Sequence, residues 1–160
     1  MNIFYLDQDS KLCAQYHTDR HVVKMILESA QLLCTAVNVL AGSQVTPYKT
    51  THVNHPCSVW VRESWANFIY TYDLMECLEI EWKVRYRHDN RHKSCIALAG
   101  IRRQARQYYT DWFAPLTTPA LAMPDYCKIS SDPVECYREY YRREKVALHK
   151  WTNRNVPYWL

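Results

Sequence analysis

The stretch CAQYHTDRHVVKMILESAQLLCT, residues 13–35, decides the fold. On a helix at about 100° per residue, its polar residues fall on one narrow stripe, with His21 at the edge. The stripe consists of Cys13, His17, Arg20, Lys24, Glu28 and Gln31. Most of the remaining circumference is apolar, whereas a surface helix has a broad polar face. We therefore expect a central helix whose polar stripe faces a groove or cavity, because buried charges need partners or water.

The composition is that of one globular domain. With 160 residues, 48% of them hydrophobic, the chain is long enough for a sizeable core but too short for two domains. Helical periodicities predict a mainly α fold: a single compact helical domain over residues 1–160, with a central first helix and irregular Pro-rich loops. The only glycines are Gly42 and Gly100, which excludes the Gly-rich phosphate loops of dinucleotide and nucleoside-triphosphate enzymes.

Charge, aromatic content and cysteine usage indicate which partners the protein could bind and in which compartment it is expected. A net charge of +4 permits a phosphate-bearing partner without requiring one. Six Trp and thirteen Tyr suit either a core or a nucleobase site. Seven cysteines without a CxxC pair, behind a charged N-terminal segment with no leader pattern, indicate reduced thiols in a cytoplasmic protein. No uninterrupted apolar run of about 18 residues occurs, so we expect no membrane span.

Cap residues and apolar periodicity predict four helices after a β-prone or extended arm at residues 2–6. Their expected ranges are about 10–39, 56–86, 94–112 and 133–150. Asp9, Asn54 and Asp132 are the expected N-caps, and Pro133 suits a first helical position. The aromatic tail TNRNVPYWL, residues 152–160, is expected to pack back onto the domain.

The first candidate site is the polar stripe itself. Lys24 and Glu28, at i and i+4, could serve as a nucleophilic amine and a carboxylate, or could form only a structural ion pair. His17 and His21 have the same spacing as the two metal-binding histidines of an HExxH helix. The residues between them do not fit that motif, and Arg20 and Lys24 would repel a cation. We therefore predict no metal site and no cofactor.

Two further groups could contact a ligand. The first lies at a helix entrance, where free amides and polar side chains can bind an anion or a base edge: His52, Asn54, His55, Trp60 and Arg62. In the alternative interpretation, Asn54 only caps the helix and His55 only packs. The second group interleaves arginines with aromatic residues, as nucleic-acid surfaces and ordinary surface helices both do: Arg102, Arg103 and Arg106, beside Tyr108, Tyr109 and Trp112.

Several segments together resemble the pyrimidine-dimer DNA glycosylase-like family of small phage and bacterial proteins. These are DRHVVKMILESAQLL, NHPCSVWVRES, YDLMECLEIEWKVRYR, EYYRREKVALHKW and VPYWL. The likeness covers most of the chain, and NHPxxxWxR is its specific string. It implies a compact metal-free α domain that flips a nucleotide out of duplex DNA, with an N-terminal α-amine as nucleophile and a first-helix Glu as its acidic partner. Asn2 is bulky enough to leave Met1 in place, so that amine would be the one of Met1.

The expected function is therefore that of a DNA-processing enzyme in repair or modification. It would be a glycosylase, with or without lyase activity, acting on a damaged or modified base flipped into a pocket lined by His, Lys and Glu. Glu28 would be the carboxylate, and Lys24, the N-terminal amine or water the nucleophile. Substrate positioning or proton transfer would fall to His17, His21, His52 and Asn54, and phosphate binding to Arg20 and Arg62.

Two alternatives remain open from the sequence. The same groove could bind or cleave a nucleotide-like small molecule. The chain could also be a non-enzymatic binding or inhibitor module, in which the stripe is a buried polar network. The expected partner is accordingly duplex DNA or a nucleotide-like ligand, without a membrane.

Overall fold

The computed structural model describes residues 1–160 and contains seven α-helices and no β-strand. The predicted mainly α fold is confirmed. The arm at residues 2–6 forms neither helix nor strand, turns tightly where the Leu6 N–H donates to the Phe4 carbonyl at 3.0 Å, and has all five of its residues buried. The helices are α1 (Ser10–Tyr16), α2 (Asp19–Ala41), α3 (Pro56–Glu63), α4 (Trp65–Tyr86), α5 (Lys93–Ala97), α6 (Ile101–Ala105) and α7 (Pro133–Glu144).

The first predicted helix is in fact two, because the chain breaks between α1 and α2. His17 is extended, with ψ 139°, and the Thr18 side chain accepts the His21 N–H at 3.4 Å as the N-cap of α2. A threonine inside an apolar pattern can cap a new helix as readily as continue the old one. The expectation of one continuous stripe from Cys13 is therefore wrong. Cys13 lies on α1, where its thiol donates to the Phe4 carbonyl at 3.2 Å.

Helix α2 is the centre of the domain, as predicted, and packs against α3, α4 and α5. By length and composition alone α2 could cross a membrane. However, 67% of its most apolar window is buried inside the protein, as in the core helix of a globular domain. Its exposed positions include Arg20 and Lys24, while Glu28 is half-buried.

The other predicted helices differ from the observed ones mainly because the chain breaks where a continuous helix was predicted. Ser64 ends α3 and caps α4 by accepting the Asn67 N–H at 3.1 Å. The predicted third helix, residues 94–112, is wrong: Gly100 adopts φ +89° and separates the short helices α5 and α6. That left-handed conformation is easy for glycine and incompatible with a continuing helix. The Asp132 cap and Pro133 begin α7 as predicted, although α7 ends at Glu144.

A buried ionic network joins the α1–α2 break to α4. The Arg85 guanidinium contacts Asp19 and Glu81, both at 3.2 Å, and donates to the His17 carbonyl at 2.6 Å. From the C-terminal tail, Arg154 reaches Glu81 at 2.8 Å. Because the charges and carbonyls satisfy one another, this polar group can stay away from water.

The C-terminal tail packs back only in part. Trp151 is buried, and its indole N–H donates to the Tyr16 carbonyl at 3.0 Å. Pro157 is also buried, whereas Tyr158 and Leu160 remain exposed. All seven cysteines are free thiols, and six of them are buried.

Candidate active site

A cavity of about 290 Å³ lies between the N-terminal arm, α2 and α7. The arm contributes Met1, Asn2 and Phe4 to its wall. The side chains from α2 are His21, Lys24, Met25 and Glu28, and the opposite wall consists of Ala122, Tyr140 and Lys145. Three residues of the predicted polar stripe, His21, Lys24 and Glu28, therefore share one cavity with the first residue of the chain.

Glu28 is the centre of charge in this cavity. Its Oε1 lies 3.3 Å from Lys24 Nζ, and its Oε2 lies 3.7 Å from the Met1 α-amine. The backbone N–H of Asn2 also donates to Oε2, at 3.0 Å. The Glu28 side chain is 13% exposed, so the carboxylate is shielded but reachable. Two amines thus flank one carboxylate.

The position of the Met1 amine is fixed by groups from distant parts of the sequence. The Met1 side chain is only 3% exposed. Asn2 donates through Nδ2 to the Ala122 carbonyl at 2.9 Å, and its Oδ1 accepts the Tyr137 hydroxyl at 3.0 Å. By contrast, the Lys24 side chain is 68% exposed and attached to Glu28 alone. The α-amine is therefore the better-ordered of the two amines.

His21 forms the inner end of the cavity. Its Nδ1 lies 2.6 Å from the Tyr141 hydroxyl, and the Phe4 ring stacks on it with a centroid distance of 4.3 Å. Burial, followed by electrostatic repulsion from His17, Lys145 and Lys24 when these groups are protonated, lowers the His21 pKa to about 3. The imidazole is therefore neutral at physiological pH.

The cavity carries more positive than negative charge. Lys145 makes no salt bridge, and its Nζ lies 4.3 Å above the Tyr140 ring. Together with Lys24 and the α-amine it gives three cationic groups around the single carboxylate of Glu28. Such an excess favours a ligand that carries phosphate or develops negative charge.

His17 and Arg20 lie outside the cavity. His17 is completely buried, and its Nδ1 is 2.7 Å from the Cys13 carbonyl oxygen. Burial is the main cause that lowers the pKa of His17 to about 4, so this imidazole is also neutral. Arg20 is exposed on α2 and makes no ion pair. Neither side chain is in a position to contact a ligand held beside Glu28 in this conformation.

At the N-terminus of α3, the His55 side chain lies near the cavity. The His55 side chain caps α3 by accepting the Cys57 N–H at 3.2 Å, so the prediction that Asn54 is the cap is wrong. Burial and the positive charges of the α-amine and His52 lower the His55 pKa, while Glu28 acts in the opposite direction. Asn54 is exposed. His52, also exposed, lies 2.7 Å through Nδ1 from the Thr51 hydroxyl.

The other two residues predicted in this segment, Trp60 and Arg62, donate hydrogen bonds to backbone carbonyl groups. Trp60 is buried, and its indole N–H donates to the Thr117 carbonyl at 3.3 Å. Arg62 donates to the Val53 carbonyl and so closes the loop before α3. Arg62 therefore holds the segment that leads to His55, whereas Trp60 ties α3 to the Pro-rich segment at Thr117.

The arginine group on and after α6 lies on a separate surface. Arg102, Arg103 and Arg106 are exposed and do not line the cavity. The Arg106 guanidinium lies 4.4 Å over the Trp112 ring. The next residue, Phe113, is 99% exposed. Exposed arginines beside exposed aromatic rings suit a nucleic-acid strand.

A cluster of side chains of the kinds that bind metal ions lies on α4 and α5. Donor atoms of Glu76, Glu79 and Cys95 are within 4.8 Å of one another. The Arg91 guanidinium contacts both glutamates, at 3.0 and 2.8 Å. A cation would have to displace this arginine, so the cluster is explained as an ion-pair network.

Sequence reasoning missed Phe4, Tyr140, Tyr141 and Lys145. Tyr141 is 120 positions from His21, and no local pattern connects two residues that far apart. The one available signal was Asn2, a polar residue at the start of the otherwise apolar run NIFYL.

Comparisons with known protein families, characterised proteins and solved structures find no match to this chain. The chemistry proposed below therefore rests on the residues of the cavity and on the resemblance of the sequence segments.

Proposed function

We propose that the protein is a DNA glycosylase that excises a damaged or modified base through a covalent amine–sugar intermediate. The observation that supports this most directly is the ion pair between Glu28 and the Met1 α-amine, 3.7 Å apart and half-buried at the cavity wall. Glycosylase chemistry of this kind needs an amine, a carboxylate and a cavity for an extruded nucleotide. All three occur together here, and the NHPxxxWxR string adds the family resemblance.

The α-amine of Met1 is the proposed nucleophile. Its neutral form attacks C1′ of the sugar, and the glycosidic bond breaks with its electron pair leaving on the base, which departs as an anion and is then protonated by solvent. Glu28 accepts one proton from the nitrogen that is now bonded to C1′. The lone pair of this nitrogen then forms a C1′=N bond while the C1′–O4′ bond breaks, and O4′ takes the proton held by Glu28. The product is a protonated imine on the opened sugar, the form that borohydride reduces.

Met1 is preferred to Lys24 because it is already ordered. Its side chain is 3% exposed and its neighbour Asn2 makes five hydrogen bonds, whereas the Lys24 side chain is 68% exposed. An amine held in place loses less freedom on reaching C1′, and such preorganisation is a major part of catalysis. Lys24 is then the residue that neutralises Glu28 between turnovers.

A second candidate is binding or cleavage of a nucleotide-like small molecule. The volume of about 290 Å³ is close to the lower end of the range for small-ligand sites, roughly 300–1,000 Å³, so a mononucleotide-sized ligand would be the largest to fit. Three cationic groups would suit one phosphate-bearing ligand. Binding of duplex DNA should weaken steeply as salt is added, whereas one small ligand releases few counterions.

Trapping with borohydride tests the proposal. Ultraviolet-irradiated duplex DNA is incubated with the protein and sodium borohydride, and the cross-linked peptide is identified by mass spectrometry. We expect an adduct on the peptide that begins with Met1. The Lys24→Gln variant should still form it, and Glu28→Gln should not. An adduct on Lys24 would show that Lys24 is the nucleophile. If neither an adduct nor a released base is found with irradiated or base-modified duplexes, the proposal of a glycosylase is refuted.

A further inference from the structure

Tyr141 is a buried residue whose hydroxyl has one side-chain hydrogen-bond partner, His21. The tyrosine has no exposed surface, and its hydroxyl oxygen lies 2.6 Å from His21 Nδ1. Its other polar neighbour is the backbone N–H of Thr18, which is itself a donor. A buried hydroxyl proton needs an acceptor, since leaving it unpaired costs about 1–3 kcal/mol. Nδ1 is the acceptor available.

This requirement fixes the location of the imidazole proton. If the Tyr141 hydroxyl donates to Nδ1, then Nδ1 carries no proton, and a neutral imidazole must carry its proton on Nε2. The titratable groups that face His21 are His17, Lys24 and Lys145; His17 is neutral, and the two lysine charges oppose a second proton on His21. His21 Nε2 makes no hydrogen bond within the chain. Unlike Nε2 of His17, it is not sealed from solvent, so it opens to the cavity.

We infer that Tyr141 holds His21 as a neutral Nε2–H donor, and that the cavity therefore takes a ligand with a hydrogen-bond acceptor at this end. The identity of that acceptor rests on the proposed function: it is a carbonyl oxygen of the departing base. When the C1′–N bond breaks, its electron pair moves onto the base and negative charge spreads to that carbonyl. The Nε2–H hydrogen bond strengthens as the charge develops, and the proton stays on His21.

His21 is accordingly a donor to the leaving base and not a general base, and Tyr141 is a positioning residue that acts through it. This role also restricts the substrate. Bases with a ring carbonyl beside the glycosidic nitrogen, as pyrimidines have, can accept the hydrogen bond. Bases without an acceptor there would leave the donor unpaired and should react more slowly.

Nitrogen-15 spectroscopy of histidine-labelled protein tests the tautomer without any assay of activity. His21→Gln identifies the His21 signals by their disappearance. We expect a protonated Nε2 and a bare Nδ1 throughout pH 5 to 8 in the wild-type protein. Tyr141→Phe, which keeps the ring volume, should remove the hydrogen-bond shift of Nδ1. A proton on Nδ1, or an imidazolium at pH 6, would overturn the inference.

A pair of amide variants tests the role of the donor in catalysis. The Gln amide can place an N–H near the position of Nε2, whereas the Asn amide reaches only toward Nδ1. His21→Gln should retain base excision within about tenfold, and His21→Asn should lose on the order of 10²-fold or more, in kcat and not in KM. Equal activity of both would remove the donor role. If the wild-type protein excises no base, the proposed function fails while the spectra still decide the tautomer.

Discussion

The backbone N–H of Asn2 donates to Glu28 Oε2 at 3.0 Å, although the two residues are 26 positions apart. This bond ties the N-terminal arm to α2 and holds the carboxylate in one orientation. The other oxygen, Oε1, faces Lys24 at 3.3 Å. Glu28 is therefore both a structural contact of the arm and the only carboxylate in the cavity.

The Glu28→Gln variant separates these two roles. The amide oxygen can still accept the Asn2 N–H, so the unfolding free energy should change by no more than about 1 kcal/mol. The loss of charge should lower the single-turnover rate of base excision by on the order of 10²-fold or more. Thermal unfolding and single-turnover kinetics on one preparation measure both. Full activity in this variant would exclude Glu28 as the catalytic carboxylate.

Acid should destabilise the protein through its buried histidines. The folded-state pKa of His17 is about 4, below its ordinary value of 6.5, because burial disfavours the charged ring. The unfolded chain then binds more protons between these values. Stability is fully present above pH 6.5 and falls as the pH drops toward 4, by roughly 3 kcal/mol in total for His17.

Urea unfolding at several pH values measures this dependence, with His17→Gln as the comparison. The glutamine variant lacks the titrating group, so its stability should depend less steeply on pH from 6.5 to 4. Parallel curves for the two proteins would contradict a neutral, buried His17.

Loss of Arg85 should cost much more stability than loss of an exposed arginine. Arg85→Gln removes the buried cation between Asp19 and Glu81, which keep only Thr152 and Arg154 as partners, and should destabilise the fold by about 2–4 kcal/mol. Arg20→Gln is the control, because Arg20 is exposed and makes no ion pair, so its change should stay within about 0.5 kcal/mol. Similar midpoints in urea for the two variants would show that the Arg85 network contributes little.

The arginines around α6 should contribute to DNA affinity and not to catalysis. Replacing Arg102, Arg103 and Arg106 by Gln should reduce the slope of log K against log salt by up to about 2–3 for duplex DNA. Single-turnover excision at saturating DNA should be unchanged, because none of the three lines the cavity. Arg142 and Arg143, paired with Glu139, provide control substitutions. An unchanged salt slope would place the DNA contact elsewhere.

Local patterns predicted the helical class and several helix starts because caps and periodicity act within a few residues. Asp9 and Asp132 cap as expected, and α4 ends at Tyr86 as predicted. The breaks at Thr18 and Ser64 were missed because such residues are compatible with both a helix interior and an N-cap. Whether they cap depends on tertiary packing, which apolar spacing does not encode.

The residues of the candidate site likewise fall into those that local spacing predicts and those that it does not. The i,i+4 spacing predicted the contact between Lys24 and Glu28, which lie 3.3 Å apart. The same helical spacing placed His17 on the polar stripe. In the structure the chain breaks before α2, and His17 is buried in the core instead. The amine of Met1 and the hydroxyl of Tyr141 come from outside the stretch, where helical spacing contains no information.

The contact between the N-terminal arm and α7 also sets the order of events during synthesis. Asn2 meets Tyr137 across 135 positions of sequence. At a translation rate of ~5–20 residues per second, the arm waits roughly 7–27 seconds for this partner to be made. Until then a ribosome-bound chain can form α2 with Lys24 and Glu28 but has no closed cavity. The earliest residues to be translated are thus among the last to be ordered, and a chain interrupted before α7 would lack the site.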